Sequence, residues 1–399
     1  MRRLAIVATH PVQYYAPWFR LLARVPNLQV HVLYLFDPSK SGNFDPGFLQ
    51  PVDWDLPLLE GYSHEFVPNR SASPGTGRFW GLRNPELKKR VLAFRPDAVL
   101  VMGYNFWSLL RFIFSWDRDK APLIFRGDSH RIARKASIGE TVRRAAIATV
   151  FRRFAAFLYV GQANLRYFAY HGVPAHLLFR APHAVDIERF ATGAAREAEG
   201  AVAWRRSLGI PDDSLVVMFA GKFEPKKRPL DLLHAFIALD PKNAFLLMVG
   251  SGPQERDLHE AAAGRGNVRF APFQNQSRMP RTYAACDVFV LPSYGDFETW
   301  GLAVNEAMSV GKPAIVSSHV GCAEDLVVPG ETGLIFEAGS RESLMRALTI
   351  ALESRNRTVE WGCAARQRIG RFGYGAAIEG LLAALEYACS KAAGTTLPT

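Results

Sequence analysis

Residues 295–313 read Gly-Asp-Phe-Glu-Thr-Trp-Gly-Leu-Ala-Val-Asn-Glu-Ala-Met-Ser-Val-Gly-Lys-Pro, with Glu298 and Glu306 separated by seven residues. The apolar segment Val288-Phe289-Val290-Leu291 precedes the stretch and Ala314-Ile315-Val316 follows it. Both flanks predict buried strands. The first Glu is therefore expected on a loop at a strand's carboxyl end, and the second on the helix that follows. Open α/β sheets bind ligands in the crevice at that edge. If both were helical they would lie about 12 Å apart, at a rise of 1.5 Å per residue. One atom cannot engage both, but an elongated, hydroxyl-rich, phosphorylated ligand can. Gly301 would let that ligand approach the helix amino terminus, where free N–H groups and the dipole favour an anion.

The alternation of apolar runs with helical patterns continues in both directions, the signature of parallel α/β layers. In the first half the runs are residues 4–8, 30–35, 98–102, 123–125 and 157–160; in the second they are 215–220, 244–249, 268–271, 288–291 and 314–317. With 399 residues, 49% of them hydrophobic, the chain can bury two cores. The Ala- and Glu-rich residues 191–204 lie between the two sets and suggest a boundary near residue 195. Residues 37–85 are rich in Pro, Gly, Asn, Trp and Phe with weak periodicity. They read as long connections near a site, since such loops are uncommon unless functional.

Charge divides the chain unevenly. Residues 1–200 hold 27 Lys/Arg against 16 Asp/Glu, while residues 201–399 hold 21 of each, so the first half carries the whole net charge of +11. That asymmetry suits an acidic partner: an anionic membrane, a nucleic acid or a phosphorylated substrate. No run of about 18 apolar residues predicts a membrane span. The opening apolar stretch ends at Thr9-His10-Pro11, too short for a signal peptide and better read as a buried strand. Cys286, Cys322, Cys363 and Cys389 have no metal-type spacing, and so few thiols fit a reducing cytosol.

Five further segments, in order between residues 219 and 333, carry a resemblance. They are Phe219-Ala220-Gly221-Lys222-Phe223-Glu224-Pro225-Lys226-Lys227, Val249-Gly250-Ser251-Gly252-Pro253, Tyr283-Ala284-Ala285-Cys286-Asp287 before the 288–291 run, Val320-Gly321 with Asp325, and Pro329-Gly330-Glu331-Thr332-Gly333. With the Glu298/Glu306 pair they resemble the retaining family-4 (group 1) glycosyltransferases. The resemblance implies the GT-B fold: two Rossmann-like doubly wound domains facing across a cleft, with a C-terminal helix crossing back to the first. The expected divisions are residues 1–195 for an acceptor-binding domain, 196–372 for a sugar-nucleotide-binding domain, and 373–399 for the crossover helix and a frayed tail.

The resemblance also implies roles. Glu298 would touch the donor sugar, and Glu306 would accept hydrogen bonds from a ribose diol, which suits an acceptor-only carboxylate. Lys222 and Lys227 would neutralise a departing diphosphate. The family usually has Arg at the position of Lys222; Lys keeps the charge and loses the bidentate fork. Gly221, Gly252, Phe273, Gln274, Thr299, Trp300, Gly301 and Leu302 would surround the donor, with Gly252 leaving space near the nucleotide. The donor would be a nucleoside diphosphate sugar, UDP favoured over GDP, and no cofactor is expected. Residues 273–276 themselves do not separate uracil from guanine or adenine.

On the first-domain side the candidates are Arg126, Asp128 and His130, clustered after an apolar run, and His10 and Gln13 after the first strand. Which of the first three comes nearest the reacting carbon stays open, and helix capping by Asp128-Ser129 is the plainer reading. Asp53-Trp54-Asp55 and Asp117-Arg118-Asp119 are short D-x-D patterns, too cheap to carry a metal site, and none is expected. Arg131, Arg134, Lys135, Arg143, Arg144, Arg152 and Arg153 interleave with apolar residues. They read either as an ordinary basic surface helix or as one lying on an anionic membrane; nucleic acid is not expected. The partners implied are a sugar nucleotide and a glycan or lipid-linked acceptor, for a cytoplasmic protein peripheral to the membrane. A sugar-nucleotide epimerase or hydrolase of the same fold, and a non-catalytic binding subunit, stay open as alternatives.

Overall fold

The computed structural model describes residues 1–133 and 138–392. The sequence-predicted runs are strands of two parallel sheets, all of them central except 268–271, which lies at an edge. The first sheet contains, in chain order, β1 (Arg2–Ala8), β2 (Leu28–Tyr34), β3 (Ser63–Phe66), β4 (Ala98–Met102), β5 (Leu123–Arg126), β6 (Ala156–Tyr159) and β7 (Leu178–Arg180), arranged β3-β2-β1-β4-β5-β6-β7. The second contains β8 (Leu215–Ala220), β9 (Ala244–Val249), β10 (Val268–Ala271), β11 (Val288–Leu291), β12 (Ala314–Ser317) and β13 (Gly333–Phe336), arranged β10-β9-β8-β11-β12-β13. Each order reverses beside its first strand, the switch point where doubly wound sheets open a crevice.

Alternation along β1 shows why the strands are covered on both faces. Leu4, Ile6 and Ala8 point into one core of the first lobe, and Ala5 and Val7 into another. A strand buried on both faces reads as a continuous apolar run. The strands missing from the sequence reading, β3, β7 and β13, lie at sheet edges or keep exposed positions. Ser63-His64-Glu65-Phe66 has no apolar run to see, because one flank of an edge strand meets solvent.

The helix Tyr374–Ala392 returns to the first lobe and packs on β4 to β7. Leu381, Ala384, Leu385 and Ala388 enter the same core as Leu4 and Ile6. Any Cβ at Gly380 would strike the carbonyl of Arg180, so the glycine sets the closeness of that contact. Ile187–Arg196 packs on the second-lobe helices Met279–Ala284 and Leu302–Ser309. Among the described residues, no helix is long and apolar enough to cross a membrane. The expected tail at 395–399, and Arg134 and Lys135 of the basic stretch, lie outside the described residues.

Candidate active-site cleft

The carboxyl ends of β1, β8, β9 and β11 converge on a cleft of ≈ 490 Å³ between the lobes. Glu298 sits on the loop between β11 and the helix Leu302–Ser309, and Glu306 within that helix. Gly301 caps it with φ 104°, a left-handed conformation suited to glycine, and no side chain caps its free N–H groups. A Cβ at Gly301 would also press on Val320 and Leu291, at 2.9 and 3.0 Å.

Lys227, at the end of the short 3-10 turn Pro225–Lys227, ion-pairs with Glu298. Ser293 Oγ donates to the same Glu298 oxygen at 2.8 Å. Both members of the pair keep partial exposure to the cleft, 20% for Lys227 and 12% for Glu298. Glu306 is buried deeper. Tyr14 and Gln276 donate to its Oε1 at 3.0 and 3.2 Å, and Tyr283 donates to Oε2 at 2.8 Å. Burial raises its carboxyl above the usual range, and the three donors oppose that rise. Oε2 accepts from one side chain and so retains acceptor capacity.

Lys222 reaches Asp45 of the first lobe, its Nζ 2.8 Å from Oδ1 and 2.9 Å from Oδ2. Burial alone would raise the Asp45 carboxyl; Lys222 and two backbone donors bring it below its ordinary value. Gly221 and Gly250 line the cleft floor with Phe273, Gln274, Thr299, Trp300 and Leu302. A Cβ on Gly250 would strike the Gly221 carbonyl, which explains a glycine there. Gly252 differs from its expected role. The room above it is filled by the Gly47 carbonyl, 2.9 Å from where its Cβ would stand, so it admits a first-lobe loop.

The first-lobe candidates separate. Asp128 lines the cleft, accepting from Thr299 Oγ1 at 2.8 Å and from His183 Nε2 at 3.4 Å. Desolvation would raise its carboxyl, but His183 and Thr299 reverse that and hold it at about 2. His10 and Gln13 line the cleft as well; burial lowers the His10 imidazole. Arg126 turns away from the main cleft. It is 3% exposed, lies over the Trp18 ring, and donates to the carbonyls of Ala181 and Pro182 at 2.8 and 3.3 Å. The reason is its place as the last residue of β5, where its side chain reaches the segment leaving β7. His130 is buried beneath the second-lobe loop: its Nδ1 accepts from the Ile132 N–H at 3.3 Å, which leaves Nε2 to donate to the Glu298 carbonyl at 3.2 Å. It supports the Glu298 loop from behind and is absent from the cleft lining.

Several cleft residues escaped the sequence reading. His183 stands over Trp300, with ring centroids 5.9 Å apart, beside Asp128. Tyr14 and Tyr283 hold Glu306, and Asp45, Phe48 and Trp54 close the first-lobe side. The signal available for the last three was their place in an overlong connection. The D-x-D patterns have structural uses: Asp53 and Asp55 bond to Asn275 and Ser277 across the lobes, and Asp117 closes its own turn on the Asp119 N–H. Among the described residues, no group of three or more His, Cys, Asp or Glu is placed to hold a metal ion.

A two-lobed α/β cleft, with paired Lys and Glu at strand ends, is thus in place. Residues 202–368 match the family described as glycosyl transferases group 1, so the second lobe carries that family's domain. D-inositol 3-phosphate glycosyltransferase 2 of Catenulispora acidiphila is 33% identical over 206 residues, 48% of this chain and 46% of that protein. The chain spans about half the length of the curated relatives it matches. The whole fold is that of GT-B glycosyltransferases. It is shared with the Anabaena protein Alr3699/HepE, crystallised with UDP and glucose, at TM-score 0.69 and 17% identity over 97% of this chain and 100% of that one. It is also shared with sucrose-phosphate synthase of Thermosynechococcus elongatus, at TM-score 0.73 and 20% identity over 98% and 100%.

Proposed function

We propose that this protein transfers a sugar from a nucleoside diphosphate sugar, UDP- favoured over GDP-, to a hydroxyl of a glycan or lipid-linked acceptor, with retention at the anomeric carbon and without a metal or other cofactor. The observation that carries this reading is the convergence of Glu298, Lys227, Lys222 and Glu306, from separate strand ends, on one cleft. Lys222, Lys227 and the helix start at Gly301 face the diphosphate. Glu298 meets the sugar hydroxyls, and Glu306 the ribose. Asp128, with His10 and Gln13, faces the acceptor.

In the reaction, the bond from the anomeric carbon to the phosphate oxygen breaks as the acceptor oxygen bonds to the same face of that carbon. The acceptor's proton passes to the leaving phosphate, whose gathering charge the two ammonium groups stabilise. Residues 1–195 supply the acceptor side, 196–372 the donor side, and the helix Tyr374–Ala392 the return to the first lobe.

The same reading places the protein on the cytoplasmic side of an anionic membrane. Phe79, Trp80 and Phe114 are exposed on the first lobe, and Trp80 packs on Trp107 at 4.9 Å. Exposed Arg78, Arg83 and Arg111 flank them, a combination suited to a lipid interface. Incubating the protein with a panel of UDP-, GDP- and ADP-sugars and lipid-phosphate or glycan acceptors tests the reading. A glycosylated product with the donor's anomeric configuration, formed in the presence of a chelator, is expected. Isomerised or hydrolysed donor in the presence of every acceptor, or an inverted product, would contradict it.

A further inference from the structure

Residues 43–55 leave the first lobe and lie across the second. The short strands Phe44–Asp45 and Gln50–Pro51 pair antiparallel, and Asp45 Oδ1 accepts from the N–H groups of Gly47 and Phe48 at 2.8 and 3.2 Å. The hairpin then docks at three places. Asp45 meets Lys222. The Phe48 carbonyl accepts from Ser251 Oγ at 3.0 Å, while its ring lies 4.5 Å from that of Phe273. Further on, Asn275 Nδ2 donates to the Asp53 carbonyl at 2.6 Å, and the Ser277 N–H to Asp55 at 3.0 Å. Asp45, Phe48 and Trp54 line the same cleft as Gly221, Gly250 and Glu306.

Two of these docking points are polar or aromatic contacts that a ligand in the cleft need not disturb. The third places an anion on Lys222, where the donor's diphosphate would bind. A diphosphate carries more charge than one carboxylate and offers more acceptor oxygens, so it is the stronger partner for an ammonium group. We propose that residues 43–55 form a nucleotide-responsive strap of the donor site: Asp45 is the resident counter-ion of Lys222, a nucleoside diphosphate displaces it, and Phe48 stays beside Phe273 over the nucleoside end. The strap makes the first lobe part of the nucleotide site, and it rests on the reading of the cleft as a sugar-nucleotide site. Because Asp45 competes with the ligand for Lys222, it holds diphosphate affinity below that of a bare site. Side-chain exposures of 30% for Lys222 and 22% for Asp45 leave the pair partly screened, which keeps the competition modest.

Calorimetric titration of the wild-type chain with UDP, GDP and ADP identifies the diphosphate that binds, and its nucleoside serves as the phosphate-free probe. Asp45→Asn retains the acceptor for Gly47 and Phe48 and removes the charge. It is expected to tighten diphosphate binding by about fivefold and to leave nucleoside binding unchanged, whereas Phe48→Ala weakens both. In the wild-type chain, carbodiimide-driven amidation of Asp45, read by mass spectrometry, is expected to rise when the diphosphate is present. Equal or weaker diphosphate binding by Asp45→Asn, or labelling that does not rise, overturns the strap. Absence of binding by every diphosphate in the wild-type chain overturns the sugar-nucleotide reading instead.

Discussion

The two lobes share a strand order and build their sides of the cleft differently. In the second lobe, the polar groups follow a buried strand closely in sequence: Lys222 and Lys227 after β8, Glu298 after β11, and Glu306 one turn into the helix that comes next. In the first lobe, Asp45, Phe48 and Trp54 come from a connection between β2 and β3, and His183 from the segment beyond β7. The second lobe's half is local in sequence and rigidly seated on strand ends. The first lobe's half is assembled from distant segments that are held in place largely by the second lobe itself. Under the proposed function, donor chemistry belongs to one lobe, while the other responds to what occupies it.

The largest expected effect separates the lobes by chemistry. Lys227→Ala removes a cation poised over the cleft, and turnover should fall by about 10²–10³-fold, the range seen when a charge-stabilising group is lost. The midpoint of thermal unfolding should move little, because the partner Glu298 keeps Ser293 as a donor and some solvent. Turnover within threefold of wild type, in a folded variant, would remove Lys227 from the chemistry.

A first-lobe counterpart should behave in the opposite way. Arg126→Met leaves the carbonyls of Ala181 and Pro182 without their buried donor, a loss of about 2 kcal/mol in stability. Denaturant unfolding measures that loss, and KM for the donor should stay unchanged. A donor KM that rises while stability holds would restore Arg126 to the site.

The smallest effect concerns Asp128 at the seam between the lobes. Its carboxyl is held at about 2, against an ordinary value of 3.8. A depressed folded value means that the charged form stabilises the fold above pH 3.8, and that this contribution is lost as pH falls toward about 2. The wild-type chain should therefore exceed Asp128→Asn in unfolding midpoint at pH 7, and the gap should close between pH 3.8 and about 2. With the side chain 40% exposed, solvent screening keeps the gap to about 1 kcal/mol or less. A gap independent of pH would show that Asp128 acts through shape alone.

Much of this was legible in the chain. Central strands announce themselves because burial on both faces demands continuous apolar residues, as in 215–220 and 288–291. Edge strands β3 and β7 were not legible, since a Ser-His-Glu-Phe or Leu-Phe-Arg segment becomes a strand only by pairing with a neighbour already in place. The site followed the same rule. Glu298 and Glu306 stood out by their position beside such runs, and Lys222 and Lys227 through the resemblance; the fold brings all four to one cleft. Arg126 and His130 could not be told apart from Asp128, because a strand end and the loop after it send three side chains in three directions that only packing decides. Gly252 read as room for a ligand, and the room is taken by Gly47.

By itself, the sequence determined two parallel α/β sheets, a basic first half and a set of charged groups at strand ends, since periodicity, composition and spacing are local properties of a chain. Only the tertiary structure decided that Asp45 faces Lys222 across 177 residues, that two tyrosines and a glutamine hold Glu306, and that His183 joins Asp128. Such contacts depend on how two lobes dock, and docking is set by side chains meeting in space that have no relation along the sequence.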